Sequence, residues 1–110
     1  MPTAGAKLPK FMSSTNNNVR TQEFREQFAR LPTKLQALAS ASFKMFLKNP
    51  DHPALRRHQL ADNDKGRHRV GSYSVSITMK FRALYTVDGK KNVWYWIGTH
   101  NDYDNLTGAK

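Results

Sequence analysis

Residues 72–103 read SYSVSITMKFRALYTVDGKKNVWYWIGTHNDY, and this stretch decides the fold. Serine alternates with Tyr73, Val75 and Ile77; further on, Phe81, Ala83, Tyr85 and Val87 alternate with Arg82, Leu84 and Thr86. A period of two marks half-buried antiparallel strands, because successive side chains leave opposite faces of the pleat. Asp88-Gly89 supplies the turn, since glycine takes positive φ without steric cost, and a third β-rich run, Val93 to Ile97, follows within hairpin distance. Three adjacent strands are predicted. Trp94 and Trp96 alternate with Val93, Tyr95 and Ile97, so one set is expected to face the core and the other the outside. Outward tryptophans would mark a binding surface; inward ones would complete the core.

Upstream of the strands, Phe24, Phe28 and Leu31 fall at i, i+4 and i+7, on one face of a helix over Gln22 to Leu31. Pro32 interrupts this run and can open a second helix, Thr33 to Lys48, whose apolar stripe runs through Leu35, Leu38, Ala39, Phe43, Phe46 and Leu47. Asn49-Pro50 stops it. So short a link allows an αα-hairpin or a helix-turn-helix, but the second helix lacks the Arg, Asn and Gln grouping that reads base edges. Asp51 to Lys65 reads as a loop with an extended piece around His58 to Leu60, followed by the basic run Lys65-Gly66-Arg67-His68-Arg69.

The 110 residues suffice for one domain with a modest core. Residues 1–18, rich in Ser, Thr, Asn, Pro and Gly, read as a mobile tail, which leaves 19–110 as a single domain. With 18 Lys and Arg against 8 Asp and Glu, the formal net charge is +10, which implies a polyanionic partner such as nucleic acid or an acidic protein. No cysteine is present, and His52, His58, His68 and His100 follow no ligand spacing, so neither a metal nor a cofactor is expected. No apolar run follows Lys7 and Lys10, and no segment approaches the ~20 apolar residues of a membrane span. A cytoplasmic protein without a membrane partner is expected.

Several residues could carry chemistry. Arg56, Arg57, Lys65, Arg67 and Arg69 could neutralise phosphates and so bind RNA, or could keep a loop solvated. Arg82 sits mid-strand on the face that Ser74 and Ser76 share, where a guanidinium could hold two phosphate oxygens or pair with a carboxylate. His100, where the chain leaves the last strand, is placed to transfer a proton near neutral pH or to serve as a structural cap. Tyr103 lies three residues on and could stack on a base or pack inside.

The pattern SVSITMKFRALYTVDG followed by WYWIGTHNDYDNL resembles the RelE/ParE superfamily of bacterial toxin–antitoxin toxins. The likeness covers roughly Val19 to Leu106. It implies an α+β, RelE-like fold: an N-terminal strand around Asn18 to Thr21 and a two-helix hairpin packed on a three- to four-stranded antiparallel sheet, with a short C-terminal helix or turn. It also implies an acidic cognate antitoxin. Some members of the superfamily cleave mRNA on the ribosome, while others inhibit DNA gyrase without chemistry of their own. In the nuclease reading, Arg82 stabilises the transferring phosphate, His100 acts as acid or base and Tyr103 positions a base. RelE places two lysines where this chain has Ser74 and Ser76, so the general base must come from elsewhere; His68, Lys65 and His100 are the candidates. The gyrase reading needs no proton transfer at His100.

Overall fold

The computed structural model describes residues 17–62 and 65–108. Residues 1–16 of the expected tail lie outside that range. Asn18 opens a strand, as the resemblance implied, and is buried, 5% exposed. This strand, β1 (Asn18–Arg20), leads into α1 (Gln22–Ala29), and Thr21 caps the helix by accepting a hydrogen bond from the Phe24 amide at 3.1 Å. Pro32 opens α2 (Thr33–Lys48) as expected. The Gln36 side chain reaches back from α2 to the Phe28 carbonyl at 3.1 Å, satisfying the end of α1 and fixing the αα-hairpin.

A 3₁₀ turn, Pro53–Leu55, precedes β2 (His58–Gln59), and then come β3 (Tyr73–Thr78), β4 (Phe81–Asp88), β5 (Lys91–Thr99) and α3 (His100–Thr107). The strands form one five-stranded sheet in the order β1-β5-β4-β3-β2. Four of them are antiparallel as expected, and β1 adds a fifth, parallel to β5. A parallel pair needs a long crossover, so this pairing joins the two ends of the domain and leaves the helices packed on the sheet between them. Gly89 has φ 60° at the first position of the two-residue turn between Asp88 and Lys91, the conformation that a tight hairpin of this hand requires.

The helical face of the sheet buries Phe24, Phe28, Ala39, Phe43 and Phe46 against Val75, Ala83, Tyr85, Trp94 and Ile97. Trp94 is at the centre, with ring centroids 4.5 Å from Tyr85, 5.2 Å from Phe46 and 5.8 Å from Phe43. Its indole N–H donates to the Asn18 side-chain oxygen at 3.0 Å, so the core also holds the N-terminal strand. On the opposite face Leu84, Tyr95 and Tyr103 form a smaller cluster with Leu60, Trp96 and Leu106, covered by α3.

Strict alternation predicts that both tryptophans share a face, and they do not. Tyr85 pairs with Trp94 but Leu84 pairs with Trp96, so β5 carries one extra residue, a bulge at Tyr95. The bulge turns Trp94 to the helices and Trp96 to the other face.

Truncating Phe46 to alanine removes a ring from the centre of this packing and is expected to cost about 3–5 kcal/mol in urea denaturation. Burial also pushes the Tyr85 phenol above its ordinary value, partly opposed by the hydrogen bond from Arg57. The folded phenol therefore ionises at higher pH than the unfolded one. Stability held by its neutral form is complete below about pH 10 and is lost as pH rises through the folded value. Tyr85→Phe is expected to flatten the alkaline fall in stability above about pH 10, read by denaturation at each pH.

Candidate functional site

On the face away from the α1–α2 hairpin, the register aligns Ser76, Arg82 and Gly98 in one row across β3, β4 and β5. Cross-strand neighbours point to the same side, so the row brings three distant positions together. Arg82 Nη1 donates to Ser76 Oγ at 2.9 Å, and the guanidinium lies over the Tyr103 ring, 5.1 Å from its centroid. Gly98 supplies no side chain, and a Cβ there would lie 2.8 Å from the Trp96 indole. Glycine thus lets Trp96 fold flat over β5, its centroid 6.4 Å from Tyr103. Arg82 is half-buried on this aromatic floor, and its Nε is buried without a hydrogen-bond partner.

His100 opens α3. Thr99 caps the helix by accepting from the Asp102 amide at 3.1 Å, and the His100 amide donates to the Lys80 carbonyl at 2.6 Å, which pins the helix start to the β3–β4 turn. The His100 ring lies 5.7 Å from Tyr103, and its Nδ1 is 3.3 Å from Asp104 Oδ2, one turn along the helix. With Nδ1 directed at the carboxylate, Nε2 is the nitrogen left for a substrate. Arg82 and His100 therefore flank one buried tyrosine, which is 7% exposed. Tyr103 supports the arginine from beneath, and its ring is taken up by these contacts rather than open to a base.

His58 lies on the same face at the far margin of the sheet, and nothing in its local sequence marks it out. It pairs with Ser74, which pairs with Leu84, so its side chain projects on the Arg82 face, one row away. The His58 ring is exposed, and Nδ1 lies 3.0 Å from the Arg56 carbonyl. Donation from Nδ1 leaves Nε2 with a free lone pair, as a general base requires. Only the pairing of β2 with β3 reveals this, because fifteen intervening residues separate His58 from Ser74.

The other expected residues divide by position. Ser74 is fully buried, with Oγ unpartnered, and Ser76 is 7% exposed. His68 Nε2 faces the Ala61 carbonyl at 3.0 Å, and the neighbouring Arg67 amide donates to the Leu106 carbonyl at 2.7 Å, so His68 sits at the C-terminal end of α3. His100 is at the other end, about 12 Å away along eight residues of helix. Lys65 and Arg67 are exposed at that far end. Arg69 lies over Tyr95, 4.5 Å from the ring centroid, on the Arg82 face. Arg57 belongs to the opposite face, where it donates to Tyr85 Oη at 3.2 Å and pairs with Asp51 at 2.6 Å. Arg56 is exposed beside Ser76.

No protein-family model matches the chain, and no curated protein matches it in sequence. Solved structures do match in three dimensions. YafQ from E. coli aligns with 81% of this chain and 98% of its own at TM-score 0.60 and 14% identity. A YoeB/ParE toxin from Agrobacterium tumefaciens aligns with 76% of this chain and 98% of its own at TM-score 0.55 and 13% identity. A chain of the RelB–RelE antitoxin–toxin complex from Methanococcus jannaschii aligns with 78% of this chain and 95% of its own at TM-score 0.51 and 10% identity. The fold is that of the RelE/ParE toxins. Among the described residues of this RelE-like fold, no helix is long and apolar enough to cross a membrane, and no cluster of three or more His, Asp or Glu could hold a metal.

Gly98→Ala tests the aromatic floor. It should displace the Trp96 indole, cost about 1–3 kcal/mol in urea denaturation and shift tryptophan emission to the red.

Proposed function

We propose that this chain is the toxin of a type II toxin–antitoxin pair and cleaves mRNA by attack of a ribose 2′-hydroxyl on the adjacent phosphate. The observation that carries the reading is the meeting of Arg82 and His100 at Tyr103, with Arg82 oriented by Ser76 and with His58 on the same face of the sheet. The Arg82 guanidinium stays charged and is held ready for phosphate oxygens by the Ser76 hydroxyl and the Tyr103 ring. His58 Nε2 accepts the 2′-hydroxyl proton as the new P–O2′ bond forms. His100 Nε2 gives a proton to the departing 5′-oxygen as the P–O5′ bond breaks, and Arg82 holds the charge on the non-bridging oxygens. The products are a 2′,3′-cyclic phosphate and a 5′-hydroxyl, with protons balanced between the histidines. Arg69, with Lys65 and Arg67 further off, adds basic charge to hold the strand, and His68 fixes the loop that presents them.

The same reading makes an acidic antitoxin the protein partner and the ribosome the place of cleavage. The net charge of +10 favours both. In this reading Ser76 aims the arginine and His58, rather than a lysine on the strand, takes the proton.

Primer extension on a reporter mRNA after brief induction tests the reading. Cuts at defined codons should appear with the wild-type chain and vanish with Arg82→Ala, while His100→Ala and His58→Ala each slow cutting by about 10²–10⁴-fold. Growth arrest without cuts, persisting in His100→Ala, would overturn it and favour gyrase inhibition.

A further inference from the structure

Beside the row that holds Arg82, the sheet has an open edge. β2 pairs with β3 only at Tyr73 and Ser74, so the outer edge of β3 is uncovered from Ser76 onward. The Ser72 carbonyl accepts from the Leu60 amide on that outer side at 2.8 Å. By strand alternation, the Ser76 amide and carbonyl face outward as well. They open into a cleft of about 440 Å³ between the 3₁₀ turn and the β3–β4 turn, with Pro53, Ala54 and Arg56 on one wall and Ser76, Thr78 and Met79 on the other.

We propose that this cleft is a nucleotide subsite that takes one unstacked base of single-stranded RNA next to the scissile phosphate, an assignment that rests on the nuclease reading above. Ser76 belongs to both places: its hydroxyl accepts from Arg82, and its residue lines the cleft. A base in the cleft is therefore neighbour to a phosphate on Arg82. The outward amide and carbonyl offer a donor and an acceptor to a base edge, which is how unstacked RNA bases are read. Met79 is 81% exposed at the turn tip, an apolar side chain that a stacked base would cover. Arg56 holds φ 47°, the left-handed region that a Cβ disfavours. In that conformation its carbonyl faces the His58 ring at 3.0 Å while the residue walls the cleft. One residue thus couples the candidate base to the subsite. An added protein strand fits less well, because Pro53, Ala54 and Arg56 wall the cleft opposite Ser76.

The test uses the full chain and non-cleavable 2′-O-methyl tetranucleotides of varied sequence, followed by amide chemical shifts. The Ser76 and Thr78 amides should shift, with preference for particular bases. Arg56→Ala should weaken the preferred sequence by about tenfold, and Ala54→Phe, which fills the cleft, should abolish the Ser76 shift. In cells, sequencing of the cut ends should show a changed base preference beside the cut in Arg56→Ala. Absence of binding, shifts confined to Arg82, His100 and Tyr103, or a preference unaltered in both variants would overturn the subsite. So would Ser76 and Thr78 shifts produced by an extended peptide and not by RNA. Failure of the nuclease reading is separately visible, as no cuts from the wild-type chain while tetranucleotides still shift Ser76.

Discussion

One extra residue in β5 sets what both faces of the sheet can do. The bulge at Tyr95 sends Trp94 into the helices and Trp96 to the opposite side. Without it, the period of two would put both indoles on one face. Trp94 then organises the larger core, with Phe43, Phe46 and Tyr85 around it and Asn18 held by its indole N–H. Trp96, laid flat over Gly98, gives the other face an aromatic floor. A bulge also increases local twist, and such irregularities recur beside functional sites.

On that floor, a charged side chain can stand in the middle of a sheet. Arg82 would lose solvation at this position without return, but the Tyr103 ring face and the Ser76 hydroxyl both contact it. A cation over an aromatic ring contributes about 0.5–2 kcal/mol depending on solvation, and the hydroxyl fixes one edge of the guanidinium. The fork is thereby held before any ligand arrives, so binding an anion would cost little ordering entropy. The start of α3 matters equally, since the bond from the His100 amide to the Lys80 carbonyl ties the histidine to the hairpin that carries Arg82.

The two ends of the domain meet in the sheet. β1 pairs with β5 in parallel, and beyond the end of β1 the Gln27 side chain accepts from the Ile97 amide at 3.0 Å, so α1 satisfies one further group of the β5 edge. One margin is partly covered by β1 and α1, while at the other β2 is too short to cover β3 beyond Ser74.

The sequence by itself determined the elements with strong local signals: three antiparallel strands by their period of two, the Asp88-Gly89 turn, two helices separated by Pro32, and Arg82 on the face of Ser74 and Ser76. It also placed His100 where the chain leaves the last strand. Local periodicity, turn chemistry and proline act through neighbouring residues, so they are legible in order along the chain. Tertiary structure alone decided the bulge that separates the tryptophans, the burial of Tyr103 beneath Arg82, and the separation of His68 from His100 by the length of α3. It also decided that His58, in a strand of two residues, comes to the Arg82 face through Ser74. These features arise from register and from packing between residues far apart in sequence. Their energies depend on which strand meets which, and no window of the chain contains both partners.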